Sequence, residues 1–318
     1  MLHTHRTNIQ ARQFIPLEVD VGTDVTLKVE VSCGSGCDLR GTPVNVIGPA
    51  GVLLTGELTL WDGTANETVD LMFTVPSQIG EYAWSIVFPK CESEDVIHEE
   101  SSLPMSFKTI PHETSMAVWD IPSPVAINSS LSVKVGMHCS AGCRLGGRII
   151  EVCDETGAKI GEGTLGDTAW GGTKALYWAE VELTAPPSVG VSSRSVRFVA
   201  GDGEFSHEGT SAAFSFRTDR PPEHRVTVTV LEKMTNAPVE NVEVRLGFYV
   251  ATTGKRGVLT LDVPKGTYEL CIRSDGLQAP HMTVQVIEDL TVTVEATPAL
   301  TRAQVEEQIM KFEDYPWA

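Results

Sequence analysis

Residues 25–51 read VTLKVEVSCGSGCDLRGTPVNVIGPAG, and residues 131–157 repeat the pattern as LSVKVGMHCSAGCRLGGRIIEVCDETG. The two stretches lie 106 residues apart, and their apolar, cysteine and glycine positions coincide. In both stretches apolar and polar residues alternate up to the first cysteine, which is typical of a strand with one buried face. An internal repeat of this period predicts two successive β domains of about 105 residues each.

Each copy is expected to contain about seven short strands, which favours a β-sandwich. Turn residues cluster at 48–51 and 76–80 in the first copy, and at 154–157 and 186–188 in the second. Both copies resemble immunoglobulin-like or fibronectin-like sandwiches, without the Cys–Trp–Cys spacing of antibody domains. The predicted bounds are 14–110 and 113–218, and residues 1–13 are interpreted as an N-terminal extension.

A different β domain is predicted over residues 223–298, after a linker that Pro221 and Pro222 stiffen. Its segments TNAPVENVEVRL (235–246), TGKRGVLTLDVPKGTYEL (253–270) and LTVTVEA (290–296) resemble the prealbumin-like family of carboxypeptidase regulatory-like and collagen-adhesin B-type domains. This resemblance implies a folding or docking module. The predicted fold class is therefore all-β: two similar immunoglobulin-like sandwiches, a prealbumin-like third sandwich and a short C-terminal helix.

The C-terminal segment, residues 300–318, is the place where a helix is expected. Thr301 can cap the helix, and Gln304 follows three residues later, as in a capping box. A helix this short must dock, either on the third domain or into another subunit. The candidate docking residues are Val305, Ile309, Phe312, Tyr315 and Trp317.

Charge and hydropathy limit the partners of the chain. The 318 residues have a formal net charge of −18, so the basic footprint of nucleic-acid binding is missing. No apolar run approaches the roughly 18 residues of a membrane helix. The N-terminal residues lack the apolar core of a secretory signal, which predicts a cytoplasmic protein; the alternative is an exported protein with oxidised cysteine pairs.

The most distinctive local motif is a C-x-x-x-C at one hairpin of each repeat. Cys33 with Cys37, and Cys139 with Cys143, are candidate disulfides or buried thiol pairs. Zinc requires four ligands, and each copy supplies two thiolates. His138 could add a third ligand in the second copy alone, so a shared ion would require the two hairpins to meet.

The histidines are not expected to cluster. His3 and His5 could bind a metal ion as an H-x-H strand end, but a disordered terminus is favoured over that reading. The sequence accordingly indicates no metal ligand, no cofactor-binding residue and no catalytic residue. Residues 161–166 spell G-x-G-x-x-G, but no helix follows them, so a glycine-rich hairpin is predicted instead of a dinucleotide site.

The favoured function is a non-enzymatic structural or accessory subunit that binds partner proteins in a larger assembly. Sandwich edges would supply contact area, and Tyr and Trp side chains are common interface anchors. The alternatives are a carbohydrate- or surface-binding protein, and a metal or redox role for the paired thiols. The oligomeric state and the partner's identity are left open.

Overall fold

The computed structural model describes residues 3–93, 95–200, 205–274 and 276–299, and these residues are all-β. The predicted fold class is confirmed for them. The predicted C-terminal helix, with its docking residues, lies outside the described residues. Within the described ranges, no helix has the length and apolarity needed to cross a membrane.

The first unit extends to residue 110. Its strands are β1 (His3–His5), β2 (Thr7–Gln13), β3 (Glu18–Asp20), β4 (Asp24–Cys33), β5 (Pro43–Gly48), β6 (Gly51–Trp61), β7 (Ala65–Thr68), β8 (Leu71–Thr74), β9 (Gly80–Phe88), β10 (Cys91–Ser93), β11 (Val96–His98) and β12 (Ser101–Ile110). Strands pair in the order β2-β4-β7-β6-β5-β9-β12-β3, and β8 also pairs with β4. A separate small sheet has the order β1-β11-β10.

The interpretation of residues 1–13 as an extension is wrong. Residues Thr7–Gln13 form β2, which pairs antiparallel with β4, and Ile9 lies in the apolar core. The other face of β2 covers Glu30, which is only 4% exposed and contacts Gln10 and Arg12. The apolar pattern of this segment is weak. It nevertheless belongs to the sandwich, because its pairing with β4 and the ion pair of Arg12 with Glu30 stabilise it there.

The second unit begins at residue 114. Its strands are β13 (Thr114–Trp119), β14 (Val125–Ala126), β15 (Ser130–Cys139), β16 (Ile149–Cys153), β17 (Lys159–Thr164), β18 (Tyr177–Thr184), β19 (Gly190–Phe198) and β20 (Thr210–Asp219). They form two sheets, β13-β15-β18 and β14-β20-β19-β16-β17. The G-x-G-x-x-G segment starts inside β17, which pairs with β16, so the predicted glycine-rich hairpin is confirmed.

The third unit begins at residue 224. Its strands are β21 (His224–Glu232), β22 (Glu243–Leu246), β23 (Tyr249–Thr252), β24 (Val258–Val263), β25 (Gly266–Arg273), β26 (Leu277–Gln278), β27 (Met282–Val286) and β28 (Leu290–Pro298). They form the sheets β24-β21-β28-β26 and β23-β22-β25-β27. The likeness to carboxypeptidase regulatory-like domains stays a prediction.

Each unit has its own apolar core, because the buried strand faces of the three units form three separate clusters. In β4 the predicted alternation holds for Val25, Leu27, Val29 and Val31, which are all buried. Strand β15 is the counterpart of β4 in the second unit, and Cys139 at its end is fully buried. Both C-x-x-x-C motifs therefore begin where a core strand ends.

Candidate metal centres

Four side chains meet at one end of the first sandwich. His5 comes from β1, Cys33 ends β4, Cys37 follows in the next turn, and His98 ends β11. One ligand atom from each residue lies within 4.8 Å of all the others. His5 Nδ1 is 3.1 Å from Cys37 Sγ and 3.7 Å from Cys33 Sγ. We call this group centre 1.

The second sandwich contains the same group, which we call centre 2. It consists of His112, Cys139, Cys143 and His207, and its ligand atoms also lie within 4.8 Å of one another. His112 Nδ1 is 3.1 Å from Cys143 Sγ, the distance found between the corresponding atoms in centre 1. Each centre is thus completed within one repeat, with two thiols and two imidazoles.

A tight backbone turn places the two thiols of each motif side by side. Gly36 has φ +69° and donates its N–H to the Cys33 carbonyl at 2.9 Å. Gly142 has φ +73° and donates to the Cys139 carbonyl at 3.0 Å. A glycine suits this left-handed backbone without steric cost. The turn therefore returns the second cysteine toward the first.

Backbone pairing also brings the two histidines of each centre together. His5 and His98 are register partners in the parallel pairing of β1 with β11. His112 and His207 are partners in an isolated parallel bridge. Both centres thus contain a parallel pair of histidines. The pair His5–His98 belongs to a small sheet, whereas His112 and His207 form an isolated bridge.

The second histidine of each centre is buried without a hydrogen-bond partner. His98 and His207 are each 4% exposed, and among the described residues neither ring nitrogen of either has a partner with hydrogen-bond geometry. Burial lowers the pKa of both imidazoles. The nearby His5 ring lowers the pKa of His98 further, and the Arg148 side chain lowers that of His207 further, while a contact with the Phe205 backbone offsets part of the shift at His207. A buried, neutral imidazole with an unused lone pair is the form in which histidine binds a metal ion.

The thiols of centre 1 give a complementary signal. Burial, followed by the contact with Cys33, raises the pKa of Cys37 to about 11. Two adjacent thiolates repel each other, so at neutral pH they require a cation between them or keep their protons. A metal ion supplies that charge and displaces the protons.

Two S···N distances in centre 1 can be compared with those of a tetrahedral zinc site. Zinc binds thiolate sulfur at about 2.3 Å and imidazole nitrogen at about 2.0–2.1 Å, so neighbouring ligand atoms should lie about 3.3–3.8 Å apart. The S···N distances of 3.1 and 3.7 Å in centre 1 are close to that range. Two thiolates with two imidazoles favour Zn²⁺, and four protein ligands leave no position open for a substrate.

In centre 2 the tautomer of one histidine is fixed. His112 Nε2 lies 2.8 Å from the Val21 carbonyl oxygen, which can only accept a hydrogen bond. Nε2 therefore carries the proton, and Nδ1 presents its lone pair toward Cys143. A metal-binding histidine commonly donates its other N–H to a carbonyl in this way, which orients the ring.

The expectation that the histidines do not cluster is wrong for His5, His98, His112 and His207. The disordered terminus predicted for His3 and His5 is also wrong, because both residues lie in strand β1. His138, weighed as a third ligand, is exposed and lies outside centre 2. The two hairpins need not meet, since each centre takes its histidines from its own repeat. No disulfide joins Cys33 to Cys37 or Cys139 to Cys143 in the described part of the chain, so the candidate pairs are thiol pairs in this structure.

The sequence did contain a signal for the histidines. His5 and His112 are 107 residues apart, and His98 and His207 are 109 apart. The second offset also relates Trp61 to Trp170, which occupy similar places in the two copies. Extending the repeat beyond the strands to its histidines would have completed both ligand sets.

Comparisons with known proteins give distant likenesses to solved structures and identify no family for this chain. No protein-family model matches the chain, and no curated protein sequence is similar to it. Among solved structures it is similar to BcpA, the major pilin subunit of Bacillus cereus, with 9% identity, a TM-score of 0.22, and coverage of 92% of this chain and 100% of that chain.

Two further solved structures show the same kind of likeness. Domains 1–6 of the surface layer protein SbsC match with 11% identity and a TM-score of 0.28, covering 96% of this chain and 41% of that chain. An ectodomain fragment of ICAM-5 matches with 12% identity and a TM-score of 0.29, covering 92% of this chain and 76% of that chain. With TM-scores this low, we transfer no function from these proteins.

Proposed function

We propose that this chain is a non-enzymatic structural protein whose two N-terminal sandwiches are each stabilised by a Zn²⁺ ion. The observation that carries the proposal is the convergence of the same Cys2His2 set in both repeats. In both sets the second histidine, His98 or His207, is buried, and His98 has no hydrogen-bond partner among the described residues. A centre closed by four protein ligands stabilises a fold and does not activate water. The ion would bind the folded chain more tightly than the unfolded chain, and so add to stability.

The metal content of the full chain tests this proposal. We expect about two zinc ions per chain by inductively coupled plasma mass spectrometry, since each centre is complete. Cys37→Ser should remove one ion and Cys143→Ser the other, because serine does not supply a soft thiolate. Cys271→Ser is the matched control, since Cys271 is a free, half-buried thiol of the third unit outside both centres.

Two results would contradict the proposal. One is a wild-type chain that binds no zinc after purification in metal-replete medium. The other is a zinc content that Cys37→Ser, Cys143→Ser and Cys271→Ser reduce equally, since such binding would be unrelated to the two centres.

Binding of partner proteins is the second part of the proposal. It is supported by the link between β2 and β3, where Phe14 is 69% exposed and Leu17 is 78% exposed, on either side of the buried Ile15. Neighbouring exposed apolar side chains that form one patch are typical of protein interfaces, whereas single exposed ones are common on any surface. We expect a stoichiometric partner to copurify with the wild-type chain and not with Phe14→Ser/Leu17→Ser, while both chains keep their zinc. This part would be overturned if the wild-type chain purified without a partner, or if the Phe14→Ser/Leu17→Ser variant kept its partner.

A further inference from the structure

Centre 2 lies where the chain passes from the first unit to the second. Its first ligand, His112, comes two residues after the end of β12. The backbone of His112 is held by the second unit, since its N–H donates to the Ser206 carbonyl at 3.0 Å and its carbonyl accepts the Glu208 N–H at 3.0 Å. The connecting segment is thus fixed at the metal centre.

The side chain of His112 reaches back to the first unit. Its Nδ1 faces Cys143 of the second unit, while its Nε2 donates to the Val21 carbonyl of the first. Val21 is fully buried, and its own N–H donates to the Ile110 carbonyl at 2.9 Å. One imidazole ring therefore joins a ligand position in one unit to the backbone of the other.

An aromatic side chain reinforces the same junction. The Phe205 ring lies 5.3 Å from the His112 ring, centroid to centroid, at an interplanar angle of 39°. Phe205 also packs on the backbone of Gly22, where a Cβ would collide with the phenyl ring. Gly22 has φ +69°, so both its backbone conformation and the space above it favour glycine. Phe205 thus sits between the first unit and a ligand of centre 2.

We propose that the metal ion of centre 2 sets the orientation of the first unit relative to the second. An ion bound at Nδ1 of His112 keeps the proton on Nε2 and holds the ring toward the Val21 carbonyl. Without the ion, the ring can exchange its tautomer or rotate, and the bond to the first unit is lost together with the support for Phe205. This inference rests on the zinc-binding function proposed above.

Centre 1 provides an internal comparison. Its ligands come from β1, β4 and β11 and the turn after β4, all within the first unit. Loss of its ion should weaken the first unit and leave the junction intact. The two centres therefore share one ligand set, and differ in that centre 2 also joins two units.

The test compares the full chain, loaded with zinc, in three forms: wild type, Cys143→Ser and Cys37→Ser. Nitrogen-15 relaxation measures the rotational correlation time of each unit. In the wild type and in Cys37→Ser, we expect the first and second units to share one correlation time. In Cys143→Ser we expect this common value to be lost, with each unit tumbling faster.

A second variant keeps the experiment decisive if Cys143→Ser unfolds the second unit. Phe205→Ala leaves all the ligands in place, so it should keep two zinc ions. Because it removes the ring that packs on both His112 and Gly22, it should loosen the junction measurably, though less than loss of the ion does. Phe248→Ala is its control, since Phe248 is an exposed aromatic residue of the third unit, stacked against the Arg217 guanidinium at 3.6 Å. It should leave the coupling of the first two units unchanged.

The outcomes separate this inference from the proposed function. If neither cysteine variant loses zinc, the proposed function fails. If each variant loses one ion, but Phe205→Ala and folded Cys143→Ser tumble as the wild type does, the inference fails and the zinc function stands. Equal uncoupling by Cys37→Ser and Cys143→Ser would also overturn the inference.

Discussion

Thr109 illustrates how a single buried hydroxyl holds a turn of the sandwich. Its side chain is fully buried, accepts the Gly80 N–H at 3.0 Å and donates to the Gln78 carbonyl at 2.7 Å. Thr218 is placed alike in the second unit, donating to the Ser188 carbonyl at 2.7 Å. The repeat thus preserves a polar contact beneath the turn, in addition to the apolar core.

Replacing Thr109 by valine keeps the volume of the side chain and removes the hydroxyl. The partly buried Gly80 N–H then loses its acceptor inside the fully buried site of Thr109, so we expect the free energy of unfolding to fall by about 1–3 kcal/mol. Chemical denaturation of the full chain measures the change. Thr55→Val is the control, because the Thr55 hydroxyl is exposed and bonds Asn45, and its effect should stay within about 0.5 kcal/mol. Equal effects of the two variants would contradict the assigned role of Thr109.

At the residue scale, the sequence predicts strand positions better than it predicts ligands. The alternation before Cys33 identified Val25 to Val31 as buried, because side-chain direction in a strand follows directly from sequence parity. The histidines were missed since ligands separated by more than 60 residues meet only through strand pairing. That pairing, His5 with His98, is a property of the folded chain.

At the scale of elements, the small sheet β1-β11-β10 depends most on the metal ion. Its strands are three residues long, and sheets this small are marginal in water without additional support. Centre 1 supplies that support by joining the last residues of β1 and β11 to Cys33 and Cys37 of the main sandwich. An ion at this place therefore holds the small sheet on the sandwich.

Removal of zinc should release this sheet before the sandwich unfolds. We expect hydrogen exchange, followed by mass spectrometry, to speed up first in residues 3–5 and 96–98 when zinc is chelated. Strand β4 should stay protected, because Leu27, Val29 and Val31 are fully buried. Unchanged protection in the small sheet, or simultaneous loss in β4, would contradict this assignment.

Strand β2 shows why one element could not be predicted. In residues 7–13 the apolar residue that reaches the core is Ile9, so periodicity is too weak to indicate a strand. The strand is held instead by its backbone pairing with β4 and by the contact of Arg12 with Glu30. Both depend on the fold that surrounds them, and neither leaves a local pattern in the sequence.

At the scale of the whole molecule, zinc should stabilise two units of three. The third unit has an apolar core of its own, and neither centre includes any of its residues. Chelation should therefore lower the unfolding temperature of the first and second units, because the ion binds the folded state. In scanning calorimetry, chelation should leave the unfolding temperature of one transition, that of the third unit, unchanged. A uniform shift of all transitions, or no shift, would contradict this division.

The general architecture of the chain could be predicted, because an internal repeat and turn spacing determine it. Carbohydrate binding, and a redox role for the thiol pairs, stay predictions, as does docking by the C-terminal segment. What the sequence did not indicate is the link between the metal and the junction, since the Val21 carbonyl and His112 Nε2 meet across two units. Such a contact depends on tertiary geometry.

X-ray absorption spectroscopy at the zinc edge tests the central claim most directly. For the wild-type chain carrying two ions, we predict a first shell of two sulfur atoms at about 2.3 Å and two nitrogen atoms at about 2.0–2.1 Å per zinc. A shell of oxygen and nitrogen atoms without sulfur would contradict the account, because the zinc would then be bound away from Cys33, Cys37, Cys139 and Cys143.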